Sequence, residues 1–238
     1  LIGLKKISIN IILSIIMYKI NIGLVGTGNI AEEHLKVLKN FKNICLYGLT
    51  SKTNKFSNKL KLKYNFKKVY NDYNELALDE NIDALFIVVP ADKSFKVIKD
   101  IIKYKKPFFC EKPAGISLYE SNILKNLFLK YKTPNLIGFN RRYYSVFKKG
   151  LDFLNQNGGI RAINIEAHEK YWKIKKIIKP NIRTKWQFAN NIHMIDLILF
   201  FGGKIKKINI NSKKYDKSNV VNYLNASFEF KNSIIGLY

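Results

Sequence analysis

Apolar residues fall in two rhythms along this 238-residue chain. In the first half, short continuous apolar runs alternate with segments of helical spacing. The runs are Ile20 to Val25, Ile44 to Leu49, Ile82 to Val89, Pro107 to Cys110 and Asn135 to Phe139. Continuous runs of this length mark strands covered on both faces, as in a parallel sheet. Between them, Ala31 to Leu38 places Ala31, Leu35 and Leu38 on one side of a helix. Lys55 to Leu62, a segment opened by Tyr73 to Ala77, Phe95 to Tyr104 and Leu118 to Tyr131 also read as helices. Tyr64 to Val69 reads as a short extended link, and Pro90 stops the strand before it. Strand–helix alternation predicts an α/β fold built on a doubly wound parallel sheet.

After about residue 140 the rhythm changes. Tyr144 to Leu154 reads as a helix and Ile160 to Ala167 as a strand. Asn191 to Phe201 is helical and closes at Gly202-Gly203. Lys206 to Ser212, Val221 to Phe230 and Ser233 to Tyr238 follow as successive strands, which predicts an α+β domain with an open, mainly antiparallel sheet. The last apolar strand runs to the end of the chain, so this sheet reads as incomplete and the chain as truncated. The expected division is therefore 17–139 and 140–238. Residues 1–16 carry too short an apolar run to span a membrane and read as an upstream extension, with Met17 as the natural start.

The turn after the first strand is the most informative local feature. Gly26, Gly28 and Ala31 stand at the spacing G-x-G-x-x-A between a strand and a helix. The first glycine permits a tight turn, the second admits a pyrophosphate, and the third small residue lets the helix pack close. The free N–H groups of the helix end then face negative phosphates. A dinucleotide is therefore expected across Gly26, Thr27, Gly28, Asn29 and Ile30, in a Rossmann domain. At the end of the second strand, Thr50-Ser51-Lys52 offers no acidic residue for the ribose hydroxyls of NAD. A hydroxyl at Ser51 and a cation at Lys52 suit the 2′-phosphate of NADP, so NADP is favoured over NAD.

The formal net charge of +25 raises nucleic acid as a partner. Lysine is spread over nearly every segment, however, and arginine occurs only at 141, 142, 161 and 183. Nucleic-acid surfaces concentrate arginine, so neither nucleic acid nor membrane is expected. The charge would still steer an anionic substrate. Cys45 and Cys110 lie in apolar runs and read as buried free thiols, which fits a reducing, cytoplasmic setting. Three histidines and two distant cysteines show no metal-ligand spacing, so no metal is expected.

Three further segments join the glycine turn: Cys110-Glu111-Lys112-Pro113, Gly138-Phe139-Asn140-Arg141-Arg142 and His193-Met194-Ile195-Asp196-Leu197. Their order resembles the Gfo/Idh/MocA oxidoreductases, the glucose–fructose oxidoreductase and inositol dehydrogenase group. The resemblance covers about residues 18–238 and implies a Rossmann domain followed by an open antiparallel sheet. It implies hydride transfer between a nicotinamide and a secondary alcohol of a sugar, cyclitol or nucleotide sugar. Lys112 would then accept or donate the proton, since a desolvated lysine can act as a base. His193 would hydrogen-bond the reacting hydroxyl. Pro90, Glu111 and Lys112 would complete the cofactor set, with Glu111 orienting Lys112 or touching the nicotinamide ribose. Asn191 and Arg142 are candidate substrate contacts, although Arg141, Arg142, Tyr143, Lys170, Tyr171 and Trp172 read equally as surface and packing residues. A homo-oligomer formed through the C-terminal sheet is expected of the full-length chain.

Two positions depart from the family pattern. Four residues before His193, where an aspartate is frequent, stands Ala189. After Pro90, where a histidine is frequent, Asp92-Lys93-Ser94 follow. A nicotinamide-binding regulator without catalysis, or an NAD-dependent glycosidase of the same family, are the alternative readings.

Overall fold

A computed structural model describes residues 19–52, 54–170, 179–214, 221 and 223–238. The expectations for residues 1–16, Tyr171 and Trp172 lie outside the described residues. The chain divides into two compact units. One runs to Ala114 and resumes over Tyr119–Ile137, and the other takes Gly115–Leu118 and Gly138–Tyr238.

The first unit contains β1 (Ile20–Val25), α1 (Asn29–Leu38), β2 (Ile44–Thr50), α2 (Asn54–Tyr64), β3 (Lys68–Val69) and α3 (Tyr73–Leu78). It continues with β4 (Ala84–Ile87), α4 (Ala91–Ile101), β5 (Phe108–Cys110), α5 (Leu118–Tyr131) and β6 (Asn135–Ile137). The six strands are parallel in the order β3-β2-β1-β4-β5-β6. Successive residues of β1 feed opposite faces, as the period of two requires. Leu24 packs with Ala31, Leu35, Leu49 and Leu60 on one side. Val25 packs with Leu85, Ile87, Ile98 and Phe108 on the other. Each such leucine or isoleucine, fully removed from water, contributes roughly 1.5–3 kcal/mol.

Two elements differ from the sequence reading. The link at Tyr64 to Val69 ends in a strand, because Lys68 and Val69 pair with Gly48 and Leu49. Two residues are too few for a period to be read from sequence. Helix α4 starts at Ala91 rather than Phe95, with Pro90 at its N-cap and Asp92 in its first turn. An acid in the first turn and proline just before it favour that start.

The second unit opens with a 3₁₀ turn at Asn140–Tyr143, then α6 (Ser145–Gln156) and β7 (Ala162–Asn164). A π-helical turn at Gln187–Asn191 leads into α7 (Ile192–Gly202), followed by β8 (Ile205–Lys213), β9 (Tyr223–Phe230) and β10 (Ile235–Leu237). The sheet order is β7-β10-β9-β8, antiparallel except for the β7–β10 pair. Leu197 and Ile198 of α7 pack on Ala226, Phe228 and Phe230 of β9. Every residue of β8 is exposed, including Ile208 and Ile210.

Candidate active site

In the order 3-2-1-4-5-6, crossovers leave β1 in opposite directions, so a crevice opens between β1 and β4 at their carboxyl ends. The predicted residues of the first unit collect along that edge. The glycine turn follows β1, Ser51 and Lys52 follow β2, Pro90 follows β4, and Glu111 and Lys112 follow β5.

Gly26 has φ +106°, and a side chain there would collide with the Val88 carbonyl oxygen. Its N–H donates to the Thr50 carbonyl at 2.9 Å. Only glycine serves at that position. Gly28 is different: a Cβ there would meet nothing within 4 Å. It caps α1 in an extended conformation and supplies no side-chain acceptor to the first-turn N–H groups. Those donors have no partner within their own helix. Ala31 is fully buried beneath them. Asn29 and Ile30 are exposed and Thr27 partly so. Open space before an uncapped helix N-terminus suits a pyrophosphate, so these residues fit a dinucleotide.

Ser51 Oγ lies 2.8 Å from Ser57 Oγ, and Ser57 is fully buried in α2. This tie holds Ser51 at the β2 exit, and Lys52 beside it is exposed. The sequence reading did not single out Ser57.

Glu111 N–H donates to the Ile87 carbonyl at 2.9 Å, which carries the β4–β5 pairing one residue beyond the strand. Its Oε1 lies 2.8 Å from His34 Nε2, and its Oε2 accepts the Lys112 N–H at 3.2 Å. Lys112 is half-buried, and the Lys112–Pro113 bond is cis. His34 lies 77 residues upstream and carried no functional signal in the sequence. Cys110 is fully buried, and burial pushes its thiol up to about 12, so it is chemically quiet. Cys45, the second residue of β2, is only partly buried, which corrects its reading as a buried thiol.

In the second unit, His193 is 8% exposed at the start of α7, with its ring edge-on to Phe139. The 3₁₀ turn is clamped to this helix. Arg142 Nε donates to Asp196 Oδ2 at 2.7 Å, its Nη2 pairs with Oδ1, and its guanidinium lies over the rings of Phe139 and Phe200. The structure thus gives the fork of Arg142 to Asp196. Asn191 lies in the π turn, donates to Gln187 Oε1 at 2.9 Å, and lines a cavity of about 620 Å³. Its buried Oδ1 has no hydrogen-bond partner among the described residues. Trp186, Glu166, Glu169, Asn209 and Asn225 line the same cavity. Beside buried Ala189, Asn190 donates to Glu169 Oε1 at 2.5 Å.

The profile of the oxidoreductase family Gfo/Idh/MocA, with its NAD-binding Rossmann fold, matches residues 20–138. The chain belongs to this family. It is 30% identical over 128 residues to myo-inositol 2-dehydrogenase of Thermotoga maritima, covering 54% of this chain and 38% of that protein. It is 28% identical over 239 residues to glucose-6-phosphate 3-dehydrogenase of Bacillus subtilis, covering 90% of this chain and 65% of that one. Each match thus spans less than two thirds of the relative's own length. The fold matches that of apo scyllo-inositol dehydrogenase from Lactobacillus casei with a TM-score of 0.73, at 20% identity, over 93% of this chain and 68% of the other. No helix among the described residues is long and apolar enough to cross a membrane.

Proposed function

We propose that this family member oxidises or reduces a secondary alcohol of a sugar or cyclitol, with Lys112 exchanging the hydroxyl proton. The observation that supports it is the placement of Lys112 at the β5 exit, on the same edge as the glycine turn, with its backbone N–H held by Glu111. A nicotinamide nucleotide, when bound, supplies the hydride acceptor or donor. Gly26 to Ile30 would hold its phosphates, and Pro90 and Glu111 would border it. In the oxidative direction, Lys112 as the neutral amine takes the hydroxyl proton while the C–H bond electrons leave as hydride, giving a ketone and an ammonium. In reduction the ammonium returns that proton. His193 would donate a hydrogen bond to the reacting oxygen and orient it.

Ser51 and Lys52 carry the cofactor preference in this reading, and it is NADP. The buried Ser57 fixes Ser51, and no carboxylate stands at the β2 end to repel a 2′-phosphate. Asn191, Asn209 and Asn225 around the second unit's cavity suit a polyhydroxy ligand, because amides both donate and accept. Exposed Ile208 and Ile210 on the edge strand β8 suit burial against a second copy, which light scattering would register as a homo-oligomer.

The decisive experiment titrates NADPH and NADH by fluorescence. It then follows nicotinamide absorbance with myo-inositol, scyllo-inositol, glucose 6-phosphate and nucleotide sugars. Lys112→Ala should lower turnover about a hundredfold or more while nucleotide affinity stays nearly unchanged. Near-normal turnover in that variant overturns Lys112 as the base. Tight nucleotide binding without turnover on any alcohol would favour a nicotinamide-dependent regulator.

A further inference from the structure

His34 is placed where it can control the β5 exit without touching a reacting atom. Its ring stands edge-on to Phe109 at 5.1 Å and to Phe86 at 6.0 Å, and those two rings stack on each other at 5.0 Å. Packing of this kind leaves the imidazole few orientations. A carboxylate only accepts, so Nε2 carries the proton in the 2.8 Å bond to Glu111 Oε1. Both side chains are largely removed from water, at 26% and 21% exposure. A charge-assisted bond is stronger and more directional in such a setting.

Glu111 is consequently held from three directions. Its backbone N–H is fixed to Ile87, its Oε1 to His34, and its Oε2 to the N–H of Lys112. The chain of contacts runs from α1, the helix that opens at the glycine turn, to the backbone of the residue proposed as the base. We propose that His34 is a positioning residue: by clamping Glu111 it sets the direction in which Lys112 leaves β5, relative to the nucleotide-binding turn. The assignment of Lys112 as base rests on the preceding reading, but the clamp itself does not.

Three variants test it. His34→Leu keeps apolar contact with Phe86 and Phe109 and removes the donor. His34→Gln restores an N–H donor. Glu111→Gln removes the charged acceptor with little change of shape. The first readout is the ¹⁵N–¹H resonance of the Lys112 amide, which needs neither cofactor nor substrate. It should shift in His34→Leu and return in His34→Gln, while the thermal midpoint changes little. The second readout is kinetic. His34→Leu should lower kcat about tenfold with KM and NADPH affinity within threefold, His34→Gln should recover to within threefold, Glu111→Gln should lower kcat at least as much as His34→Leu, and the double variant should be no worse than Glu111→Gln alone. An unmoved Lys112 amide in His34→Leu overturns the clamp, as does failure of His34→Gln to restore it. A kinetic loss lying wholly in NADPH affinity also overturns the positioning role. If His34→Leu does not fold, His34→Phe, which also lacks the donor and keeps aromatic contact with Phe86 and Phe109, carries the same resonance test. Normal turnover in Lys112→Ala sinks the base assignment, and the resonance test then still decides the clamp.

Discussion

Arg142 and Asp196, 54 residues apart, meet through two parallel N–H···O bonds that fasten the Asn140–Tyr143 turn to α7. The Asp196 side chain is 7% exposed, and Arg142 lies partly open at 37%. The fork geometry and the rings of Phe139 and Phe200 close to the guanidinium both favour arginine over lysine. Arg142→Met would leave a buried carboxylate without its partner and should lower stability by about 2–3 kcal/mol. Urea unfolding followed by tryptophan fluorescence reads this, and an unchanged midpoint would contradict it.

The two glycines of the phosphate turn should fail in different ways. Gly26→Ala forces a Cβ into the Val88 carbonyl at positive φ and should destabilise the first unit by roughly 3 kcal/mol or more, with poor soluble yield. A Cβ at Gly28 meets nothing within 4 Å, so Gly28→Val should keep a near-normal melting temperature. Its side chain would fill the space before the helix N-terminus, so NADPH and NADH should no longer bind. Retained nucleotide affinity in Gly28→Val would argue against this placement.

Reversing the charge at Lys52 tests the ribose subsite. Lys52→Glu puts an acid at the end of β2, where it can accept from ribose hydroxyls and repel a 2′-phosphate. The ratio of NADPH to NADH affinity should drop at least tenfold. A ratio that does not move places the 2′-position elsewhere.

Asp79 should control acid stability of the first unit. Its carboxylate accepts from Tyr70 Oη at 2.6 Å, from the Asn81 N–H at 2.9 Å and from Asn81 Nδ2 at 2.8 Å. These bonds, led by Tyr70, hold it well below the usual carboxylate range. A depressed folded-state value means the stabilisation is present above the unfolded carboxylate pKa of about 3.9 and is lost as pH falls through the lower folded value. Asp79→Asn should therefore cost about 2 kcal/mol at pH 7 and much less near pH 2. Parallel stability curves for the two proteins across that range would refute the assignment.

Much of the first unit is legible because its signals are local. The apolar run Ile20 to Val25 is a strand that must be covered on both faces, and it lies in the middle of the sheet. The spacing of Gly26, Gly28 and Ala31 marks the turn within six residues of sequence. The start of α4 at Ala91 is hidden from the apolar period by Asp92-Lys93-Ser94, and Pro90 at the N-cap sets it instead. Strand β3 was invisible because an edge strand of two residues is made by its neighbour's hydrogen-bonding groups, not by its own side chains.

Strand and helix periods and the glycine turn were determined by the sequence alone, since each depends on residues within a few positions of one another, and the family signature was legible as the order of four such local segments along the chain. Only the tertiary structure decided that His34 grips Glu111, that Ser57 holds Ser51, and that Arg142 is committed to Asp196. Periodicity says which face of a helix is apolar, not which polar side chain on it will meet a carboxylate tens of residues away. That pairing follows from how the crossovers stack α1 against the ends of β4 and β5, and how α7 is laid beside the turn that precedes α6. Most buried polar groups find a partner, and the fold determines which one is within reach.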